Sequence, residues 1–299
     1  MLAIDWGTSS LRIYRLDASG QVVDTRHCAR GILQVADAAF ASVLQDEAAD
    51  WLDAHGTHIV MSGMIGSRQG WTEVAYVPCP ASLPEIAAAM ASVQWQSDMG
   101  KDYRARIAPG LSCRDDSGVN DVMRGEEVQI LGVLDELGPG EHVVCLPGTH
   151  SKWANVSDDR IMSFRTYMSG EVFAVLKQHS ILGRTMAGDD FDEGTFLRGV
   201  TRAADAGGML HHLFGVRAEV LAGKLAEEQS ASYLSGIIIG HELVSVAGQI
   251  RQFHLVGNSA LNSVYSLAAT SMKLNAIVHQ DAAAPRGLFA LAQHMERDK

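Results

Sequence analysis

The sequence predicts an α/β protein with two domains that are built alike. The chain of 299 residues is long enough for two domains of about 150 residues, each with its own core. One series of elements also occurs twice: a strand, a Gly-Thr turn, a second strand, a polar turn, a third strand and a helix. Gly7 and Gly148 occupy equivalent positions in the two series. Two similar α/β domains predict a cleft between them, which is where ligands commonly bind.

The composition is that of a globular protein with an excess of acidic residues. Hydrophobic residues make up 47% of the chain, and 24 Lys and Arg stand against 35 Asp and Glu, so the formal net charge is −11. Because no basic run is present, we expect neither nucleic acid nor a membrane surface as a partner. The N-terminus lacks the pattern of a secretion signal and no apolar run is long enough to cross a bilayer, so we expect a cytoplasmic protein. A homodimer is compatible with the sequence, which does not determine the oligomeric state.

The first series begins with the apolar strand Leu2-Ala3-Ile4, which ends in an acid and a polar turn. A glycine lets a phosphate chain approach the backbone, turn N–H groups and hydroxyls can donate to phosphate oxygens, and a carboxylate can hold Mg²⁺ through water. This pattern predicts a phosphate site, although the same residue types also form ordinary hairpin turns. The candidate residues are Asp5 for the metal and Gly7, Thr8, Ser9 and Ser10 for phosphate.

The remaining elements of the first half follow from hydrophobic periodicity and from start and stop signals. They are a strand Gln21 to Arg26, a helix from Asp37 with a stop at Gly56, a strand Thr57 to Met61, a Gly-rich loop Ser62 to Trp71, a helix from Ser82 to about Met90 and a strand near Arg106 to Ala108.

The second half repeats this plan with further helices. We predict a helix from about Met123 to Leu137, strands His142 to Leu146, Trp153 to Val156 and Ile161 to Phe164, helices Asp192 to Ala204, Ala231 to Gly248, Ala260 to Met272 and Pro285 to His294, and strands Phe253 to Val256 and Ala276 to His279. The scattered histidines, among them His211 and His212, and the helix that contains Glu242 are interpreted as structural.

The second Gly-Thr turn has the same chemistry as the first. Hydroxyl, imidazole and ammonium donors next to a glycine can bind phosphate oxygens, so two such hairpins could hold a triphosphate from both sides. A polar hairpin turn without a ligand is the alternative. The candidate residues are Gly148, Thr149, His150, Ser151 and Lys152.

A third turn connects the strand ending at Val256 to a helix through Gly257 and Asn258. A glycine here would let an adenine ring lie against the backbone. Helix capping by the asparagine is the alternative interpretation.

The three turns, Asp5 to Ser10, Pro147 to Trp153 and Val256 to Ala260, resemble the two phosphate loops and the adenosine loop of the sugar kinase, Hsp70 and actin superfamily. That resemblance implies two duplicated ribonuclease H-like domains, the actin-like ATPase fold. It implies an N-terminal actin-like domain, residues 1–117, with the first phosphate loop and the sugar-binding loop. The C-terminal domain, residues 118–299, would carry the catalytic acid, the second phosphate loop and the adenosine loop, with its last helix packing back at the hinge.

Four motifs distributed over the chain resemble the 2-dehydro-3-deoxygalactonokinase family more narrowly. They are Met61 to Ser67, Asp121 to Glu127, Pro147 to Trp153 and Phe164 to Glu171. The resemblance implies an enzyme that uses ATP and Mg²⁺ to phosphorylate the 6-hydroxyl of 2-dehydro-3-deoxy-D-galactonate in galactonate catabolism. Alternatives are a kinase for another sugar or sugar acid, or a non-enzymatic ATP-binding protein of the actin or Hsp70 kind.

Phosphoryl transfer to a hydroxyl needs a base near the attacking oxygen. Glu126 follows Gly125 at the position where related carbohydrate kinases carry a Gly-Asp base, whereas Asp121 follows Asn120 and resembles the Asn-Asp pattern of hexokinase-like relatives. We favour Glu126 slightly over Asp121 as the catalytic residue. Acids at the start of a helix, stabilised by the helix dipole, are the alternative for both.

The substrate implied by the resemblance is an acid, whose carboxylate requires a cation or several donors. Arg68, in the Gly-rich loop, is the first candidate, followed by Arg124 and Arg165. The same loop resembles the sugar-binding loop of xylulokinase-type relatives, which implies that Ser62, Gly63, Met64 and Ile65 also contact the substrate.

Overall fold

The structure is a computed structural model and describes residues 1–55, 58–97, 100–188, 190–279 and 282–297. Its strands are β1 (Leu2–Trp6), β2 (Leu11–Leu16), β3 (Val22–Cys28), β4 (Ile59–Gly63), β5 (Val77–Pro78), β6 (Ala91–Gln96), β7 (Asp102–Ile107), β8 (Leu111–Arg114), β9 (Asn120–Met123), β10 (Glu141–Leu146), β11 (Ser151–Ser157), β12 (Arg160–Tyr167), β13 (Gln252–Leu255) and β14 (Asn275–Val278).

The helices lie between and after these strands. They are α1 (Phe40–His55), α2 (Leu83–Ala88), α3 (Glu126–Leu131), α4 (Leu134–Leu137), α5 (Ser169–His179), α6 (Glu193–Ala203), α7 (Gly208–Leu221), α8 (Ser230–Ala247), α9 (Ser259–Ser271) and α10 (Ala283–Arg297). Within the described residues, no helix combines the length and the apolar character that a membrane span requires.

The first sheet has six strands in the order β3-β2-β1-β4-β7-β6. Strand β1 pairs antiparallel with β2 and parallel with β4, and β4 pairs parallel with β7. Because β1 is central and covered on both faces, Leu2, Ala3 and Ile4 form a continuous apolar run and are fully buried. The register of this strand places the residues at its carboxyl end next to those of β2 and β4.

The second sheet repeats this order, which confirms the predicted duplication. Its strands follow each other as β12-β11-β10-β13-β14, which matches β3-β2-β1-β4-β7 position by position. Strand β13 pairs parallel with β10 and with β14. A small third sheet, β5-β8-β9, was not predicted. The two Gly-Thr turns therefore connect equivalent strands, β1 to β2 and β10 to β11.

The chain divides into two compact units. Unit 1 consists of residues 1–142, 154–165 and 280–299, and unit 2 consists of residues 143–153 and 166–279. The predicted limits, 1–117 and 118–299, differ from this division, and the domain limits and the cleft stay predictions. The last helix, α10, belongs to unit 1 and packs there against α2 and α3.

The predicted helix from Met123 to Leu137 is wrong at its start and in its middle. Met123 ends strand β9, and Gly125 has a φ of +110°, which a right-handed helix excludes. The helix begins at Glu126, and Gly132 separates α3 from α4. Asp121 consequently lies on a strand and not at the start of a helix.

Two other elements, β6 and α7, were not predicted. Helix α7 shows no clear helical periodicity of apolar residues, because apolar side chains such as Leu210 and Phe214 also occupy its exposed face. The stop signal at Gly56 and the first residue of the predicted strand, Thr57, lie outside the described residues.

Candidate active site

Asp5 lies on the central strand β1, where the register of two neighbouring strands determines its surroundings. It is paired with Arg12 on β2 and with Ser62 on β4. The Arg12 Nη1 atom donates a hydrogen bond to Asp5 Oδ2 at 3.3 Å. Burial raises the pKa of Asp5, and the charge and hydrogen bond of Arg12 oppose that rise. The carboxylate is therefore held by a cation just before the first Gly-Thr turn.

The first Gly-Thr turn is a hairpin whose backbone is anchored at Gly7. The N–H of Gly7 donates to the carbonyl of Ser10 at 2.9 Å, and the carbonyl of Gly7 accepts from the N–H of Ile32 at 3.0 Å. The side chains of Thr8 and Ser9 are exposed. A Cβ on Gly7 would lie 3.5 Å from the Ser10 carbonyl oxygen, which is an ordinary van der Waals distance. The folded turn thus offers no steric reason for a glycine at position 7.

The loop that follows β4 is closely packed. Gly63 has a φ of +89°, and a Cβ there would lie 2.8 Å from the carbonyl oxygen of Trp6, so only glycine fits. Ser62 and Ile65 are fully buried, and Met64 is half-buried. The Ser62 hydroxyl has no hydrogen-bond partner among the residues that the structure describes. The Ile65 side chain therefore belongs to the core of unit 1.

Gly125 brings the start of α3 against this loop. A Cβ on Gly125 would lie 3.2 Å from the Cα of Gly63, and a Cβ on Gly63 would lie 3.3 Å from Oδ1 of Asp5. Glu126 is the first residue of α3, and its Oε2 atom accepts a hydrogen bond from the N–H of Arg124 at 3.0 Å. Two glycines in contact thus bring the Asp5 carboxylate and the helix that begins with Glu126 into one region of unit 1.

The other two acids of this segment have different surroundings. Asp121 lies on β9, and its Oδ1 atom accepts from the N–H of Val122 at 2.7 Å. Glu127 is fully buried, and its Oε2 atom accepts from the N–H of Gly125 at 2.7 Å. Burial, and then the charge of Glu126, raise the pKa of Glu127 to about 8. Glu127 is therefore mostly protonated at neutral pH, a state in which it cannot accept a proton.

The guanidinium group of Arg124 is held rigidly near the same loop. Its Nη2 atom donates to the carbonyl of Val74 at 2.8 Å, and its Cζ atom lies 4.3 Å from the centre of the Tyr76 ring. A Cβ on Gly66 would lie 3.0 Å from its Nη1 atom. The Nε and Nη1 atoms have no hydrogen-bond partner among the described residues. The orientation of the Arg124 guanidinium is therefore fixed, and two of its nitrogen atoms have no partner among the described residues.

The other two candidate arginines are more exposed and lie beside acids. Arg68 has a side chain that is 87% exposed, and its Nε atom lies 3.7 Å from Glu73 Oε2. Arg165 is 50% exposed, and its Nη2 atom lies 4.0 Å from Asp116 Oδ2. Fixing either long side chain in one position would cost conformational entropy that Arg124 has already lost on folding.

The second Gly-Thr turn is anchored on the start of α5. The N–H of Glu171 donates to the carbonyl of Thr149 at 3.0 Å, and the Glu171 carboxylate contacts the His150 imidazole. A Cβ on Gly170 would lie 2.5 Å from the Gly148 carbonyl oxygen, so the turn and the helix are in backbone contact. A Cβ on Gly148 itself would meet no atom within 4 Å. As at Gly7, folding gives no steric reason for a glycine at position 148.

The two polar residues that follow this turn are buried and have hydrogen-bond partners in unit 2. The hydroxyl of the fully buried Ser151 donates to Glu242 Oε1 at 2.8 Å. Lys152 is 5% exposed, and its Nζ atom donates to the hydroxyl of Thr166 at 2.7 Å. The hydroxyl hydrogen of Ser151 is therefore already engaged inside unit 2.

The third turn combines a strained glycine with a helix cap. Gly257 has a φ of +128°, which favours glycine regardless of any ligand. The side-chain oxygen of Asn258 accepts from the N–H groups of Ala260 at 3.0 Å and Leu261 at 3.2 Å, so Asn258 is the N-cap of α9. The capping interpretation thus describes the Asn258 side chain. The carbonyl of Gly257 accepts a hydrogen bond from Asn262 Nδ2 at 3.3 Å, and the adenine hypothesis stays a prediction.

A cavity of about 140 Å³ lies beside the second and third turns in unit 2. Its lining includes Gly148, Ser169, Gly170, Leu261 and Tyr265. This volume is smaller than the roughly 300–1,000 Å³ of sites that enclose a whole small molecule. The cavity could therefore enclose only part of a small-molecule ligand.

The interpretation of the sequence missed the surroundings of Glu242. This residue lies on α8 and is 2% exposed, and its carboxylate accepts a hydrogen bond from the hydroxyl of Ser151. The signal was present, since Glu242 is the one carboxylate in the helix Ser230–Ala247, whose sequence is otherwise rich in apolar residues. A buried carboxylate requires hydrogen-bond donors, and their identity depends on tertiary packing.

Comparison with known proteins adds a family to this geometry. The sequence model of the family described as 2-keto-3-deoxy-galactonokinase matches residues 5–291. A Rhizobium meliloti protein named as a probable 2-dehydro-3-deoxygalactonokinase is 38% identical, with 97% of this chain and 96% of the relative covered. The 2-dehydro-3-deoxygalactonokinase of Escherichia coli is 33% identical, with coverage of 91% of this chain and 89% of that protein.

Solved structures agree with the sequence relatives. The crystal structure of a Sinorhizobium meliloti protein that carries the same enzyme name has a TM-score of 0.87 at 38% identity, covering 98% of this chain and 96% of that one. The activator of 2-hydroxyisocaproyl-CoA dehydratase from Clostridium difficile, solved with bound ADPNP, has a TM-score of 0.51 at 14% identity, covering 100% of this chain and 97% of that one. At this low identity, the similarity to the activator shows only that the two proteins share a fold.

Proposed function

Since this chain belongs to the 2-keto-3-deoxy-galactonokinase family, a family of carbohydrate kinases with the two-domain actin-like ATPase fold, we propose that it phosphorylates the 6-hydroxyl of 2-dehydro-3-deoxy-D-galactonate with ATP. The reaction would serve galactonate catabolism. The observation that carries the assignment of its site is the contact of Gly125 with Gly63, which brings the start of α3 next to the Asp5 carboxylate.

Glu126 is our choice for the catalytic base. It follows the glycine that touches Gly63, whereas Asp121 lies on β9 and Glu127 is mostly protonated at neutral pH. In the proposed step, the Glu126 carboxylate accepts the proton of the 6-hydroxyl while that oxygen bonds to the γ-phosphorus. The bond from the γ-phosphorus to the β–γ bridging oxygen breaks, and ADP leaves. Asp121 remains the alternative base.

Asp5 is our choice for holding Mg²⁺ through water. The residues fit such an ion, because Asp5 is a carboxylate whose Oδ1 atom borders Gly63, where no side chain intervenes. When bound, Mg²⁺ would neutralise charge on the phosphates. The nearby Arg12 favours the ionised form of Asp5.

Arg124 is our choice for the substrate carboxylate, ahead of Arg68 and Arg165. Its orientation by Val74 and Tyr76 and its N–H donors without described partners suit a contact with a carboxylate. The hydroxyl of Ser62 and the backbone from Gly63 to Ile65 would contact the rest of the sugar acid.

The nucleotide would use the three turns. Gly7 and Gly148 have room for a Cβ in the folded protein, so close approach of a ligand to the backbone explains glycine at both positions better than folding does. Hydroxyls of Thr8, Ser9, Ser10 and Thr149, together with His150 and Lys152, are the proposed phosphate donors. Ser151 would contribute through its backbone, and Gly257 and Asn258 would border the adenosine next to the cavity.

A coupled assay that detects ADP release would test this function. The purified protein should consume ATP rapidly only when 2-dehydro-3-deoxy-D-galactonate is added, and the product should carry phosphate on the 6-oxygen. If the protein instead phosphorylates another member of a panel of sugar acids and sugars, that compound would be assigned as the substrate. ATP binding without phosphorylation of any added sugar would instead favour a non-enzymatic ATP-binding role of the actin or Hsp70 kind.

Several expectations from the sequence stay predictions. They are the requirement for Mg²⁺, a cytoplasmic location, the absence of nucleic-acid and membrane partners, and assembly into a homodimer.

A further inference from the structure

Glu242 on α8 is the centre of a buried hydrogen-bond network in unit 2. Its Oε1 atom accepts from the Ser151 hydroxyl at 2.8 Å and from the indole N–H of Trp153 at 2.7 Å. Its Oε2 atom accepts from the Tyr265 hydroxyl at 2.8 Å and from the Ser169 hydroxyl. Four side chains from three elements, β11, α5 and α9, therefore converge on one carboxylate.

This arrangement suits a carboxylate, whose two oxygens can accept four hydrogen bonds. An amide at this position would place its NH₂ group against the indole N–H of Trp153 or against the hydroxyls, so the network would have to rearrange. Burial raises the pKa of Glu242, and the four hydrogen bonds oppose that rise. Among the described residues no lysine or arginine pairs with Glu242, so its hydrogen-bond partners are all neutral side chains.

The donors lie next to the parts of unit 2 that are proposed to contact the nucleotide. Ser151 and Trp153 directly follow the second Gly-Thr turn on β11, and Ser169 begins α5, the helix on which that turn rests. Tyr265 lies on α9, seven residues after the Asn258 cap. Ser169 and Tyr265 also line the cavity of about 140 Å³. The Glu242 side chain is thus hydrogen-bonded to residues that follow the second Gly-Thr turn, to the first residue of α5 and to residues that line the cavity.

We propose that Glu242 is a positioning residue for the nucleotide: it sets the second phosphate loop, the start of α5 and α9 in the relative positions that ATP requires. This inference rests on the proposed kinase function and deepens it. Glu242 acts through Ser151, Ser169 and Tyr265 and contacts no substrate itself.

A merely structural role would have a different signature. If Glu242 only stabilised unit 2, its replacement would lower the melting temperature while the folded fraction kept normal kinetic constants. A positioning role changes the constants for the nucleotide and spares those for the sugar acid. The ratio of the two KM values therefore separates the two roles.

The test uses Glu242→Gln in the full chain, with Ser169→Ala and Tyr265→Phe as variants that keep the carboxylate and remove one donor each. Tyr233→Phe, at another buried tyrosine of unit 2, is the matched control. Steady-state kinetics would give KM for ATP and for the sugar acid, and calorimetry would give the Kd for ADP.

We expect Glu242→Gln to raise KM for ATP and Kd for ADP at least tenfold and to change KM for the sugar acid less than twofold. Ser169→Ala and Tyr265→Phe should shift the nucleotide constants in the same direction by three- to fivefold, and Tyr233→Phe should not. Nucleotide constants within twofold of wild type in folded Glu242→Gln would overturn the proposal. If that variant does not fold, unchanged constants in both other variants would overturn it. Failure of the proposed kinase function would show separately, as absence of sugar-acid phosphorylation by the wild-type protein.

Discussion

Gly125 lies so close to Gly63 that a Cβ on Gly125 would be 3.2 Å from the Cα of Gly63. Both glycines also have positive φ angles, +110° and +89°. The contact allows α3 to begin beside the loop that borders Asp5. Its disruption should therefore affect both folding and catalysis.

Gly125→Ala should lower kcat/KM at least tenfold, because the added methyl group must push Glu126 away from Gly63. The matched control is Gly118→Ala, whose φ is +81° but whose Cβ would meet no atom within 4 Å. Both variants carry the backbone strain of alanine at positive φ, about 1 to 2 kcal/mol, and should lose similar thermal stability from it. Equal kinetic constants for the two variants would contradict a catalytic role for the contact.

Glu126→Gln should lower kcat about 10²- to 10⁴-fold, the contribution typical of a positioned base, with little change in either KM. Asp121→Asn provides the comparison, because it makes the same chemical change on β9. Rapid-quench measurement of the phosphorylated product would isolate the chemical step. A loss below tenfold in Glu126→Gln together with a large loss in Asp121→Asn would transfer the role to Asp121.

Arg124→Ala should raise KM for the sugar acid at least tenfold, which corresponds to about 1.4 kcal/mol or more, and should leave KM for ATP within twofold. Arg124→Lys keeps the charge but loses the planar fork, so we expect an intermediate effect. Arg68→Ala is the matched control, since its side chain is 87% exposed. A larger effect at Arg68 than at Arg124 would restore the order of candidates that the sequence suggested.

Gly148→Ala should leave the melting temperature within about 2 °C of wild type, because a Cβ there meets no atom within 4 Å. The same methyl group would obstruct a phosphate that approaches the backbone, so KM for ATP should rise at least fivefold. Gly215→Ala on α7 is the control, as its Cβ also has open space. An unchanged KM for ATP would argue against phosphate binding at this turn.

Glu127 should make stability depend on pH. Its pKa is raised from 4.5 to about 8 in the folded protein, so the folded state binds more protons than the unfolded state between these values. Stability is therefore lost as the pH rises from about 4.5 to about 8.

Glu127→Gln removes this titration while keeping an acceptor for the N–H of Gly125. The variant should melt several degrees higher than wild type at pH 8.5 and show little difference at pH 5. Melting curves at the two pH values, with Glu73→Gln as an exposed control, would check this. A stability difference independent of pH would be inconsistent with a buried, protonated Glu127.

Local patterns predicted the elements whose residues carry a periodic signal of their own. The strand Leu2-Ala3-Ile4 is fully buried in β1, and the repeated order of strands follows from two Gly-Thr turns with similar flanking sequences. Helix α7 was missed because exposed apolar residues such as Leu210 obscure the periodicity that marks a helix face. Strand β6 was missed as well.

The helix predicted from Met123 shows the limit of periodicity. Apolar spacing continues across Gly125 and Gly132, but tertiary contacts decide where the chain can be helical. Gly125 takes a positive φ against Gly63, and Gly132 packs against α10 at Ala283. Contacts between segments distant in sequence therefore decide that Asp121 lies on strand β9 and that Glu126 begins helix α3.

The sequence by itself determined the α/β class, the duplication, the positions of the three turns and the family, because each rests on residues adjacent along the chain. Only the tertiary structure distinguished acids and cations of the same type. It buried Glu127 and raised the pKa of its carboxyl group, oriented Arg124 and exposed Arg68, and it surrounded Glu242 with four donors. The physical reason is that burial, pKa and hydrogen bonding of a charged side chain depend on neighbours that packing supplies, often from more than fifty residues away.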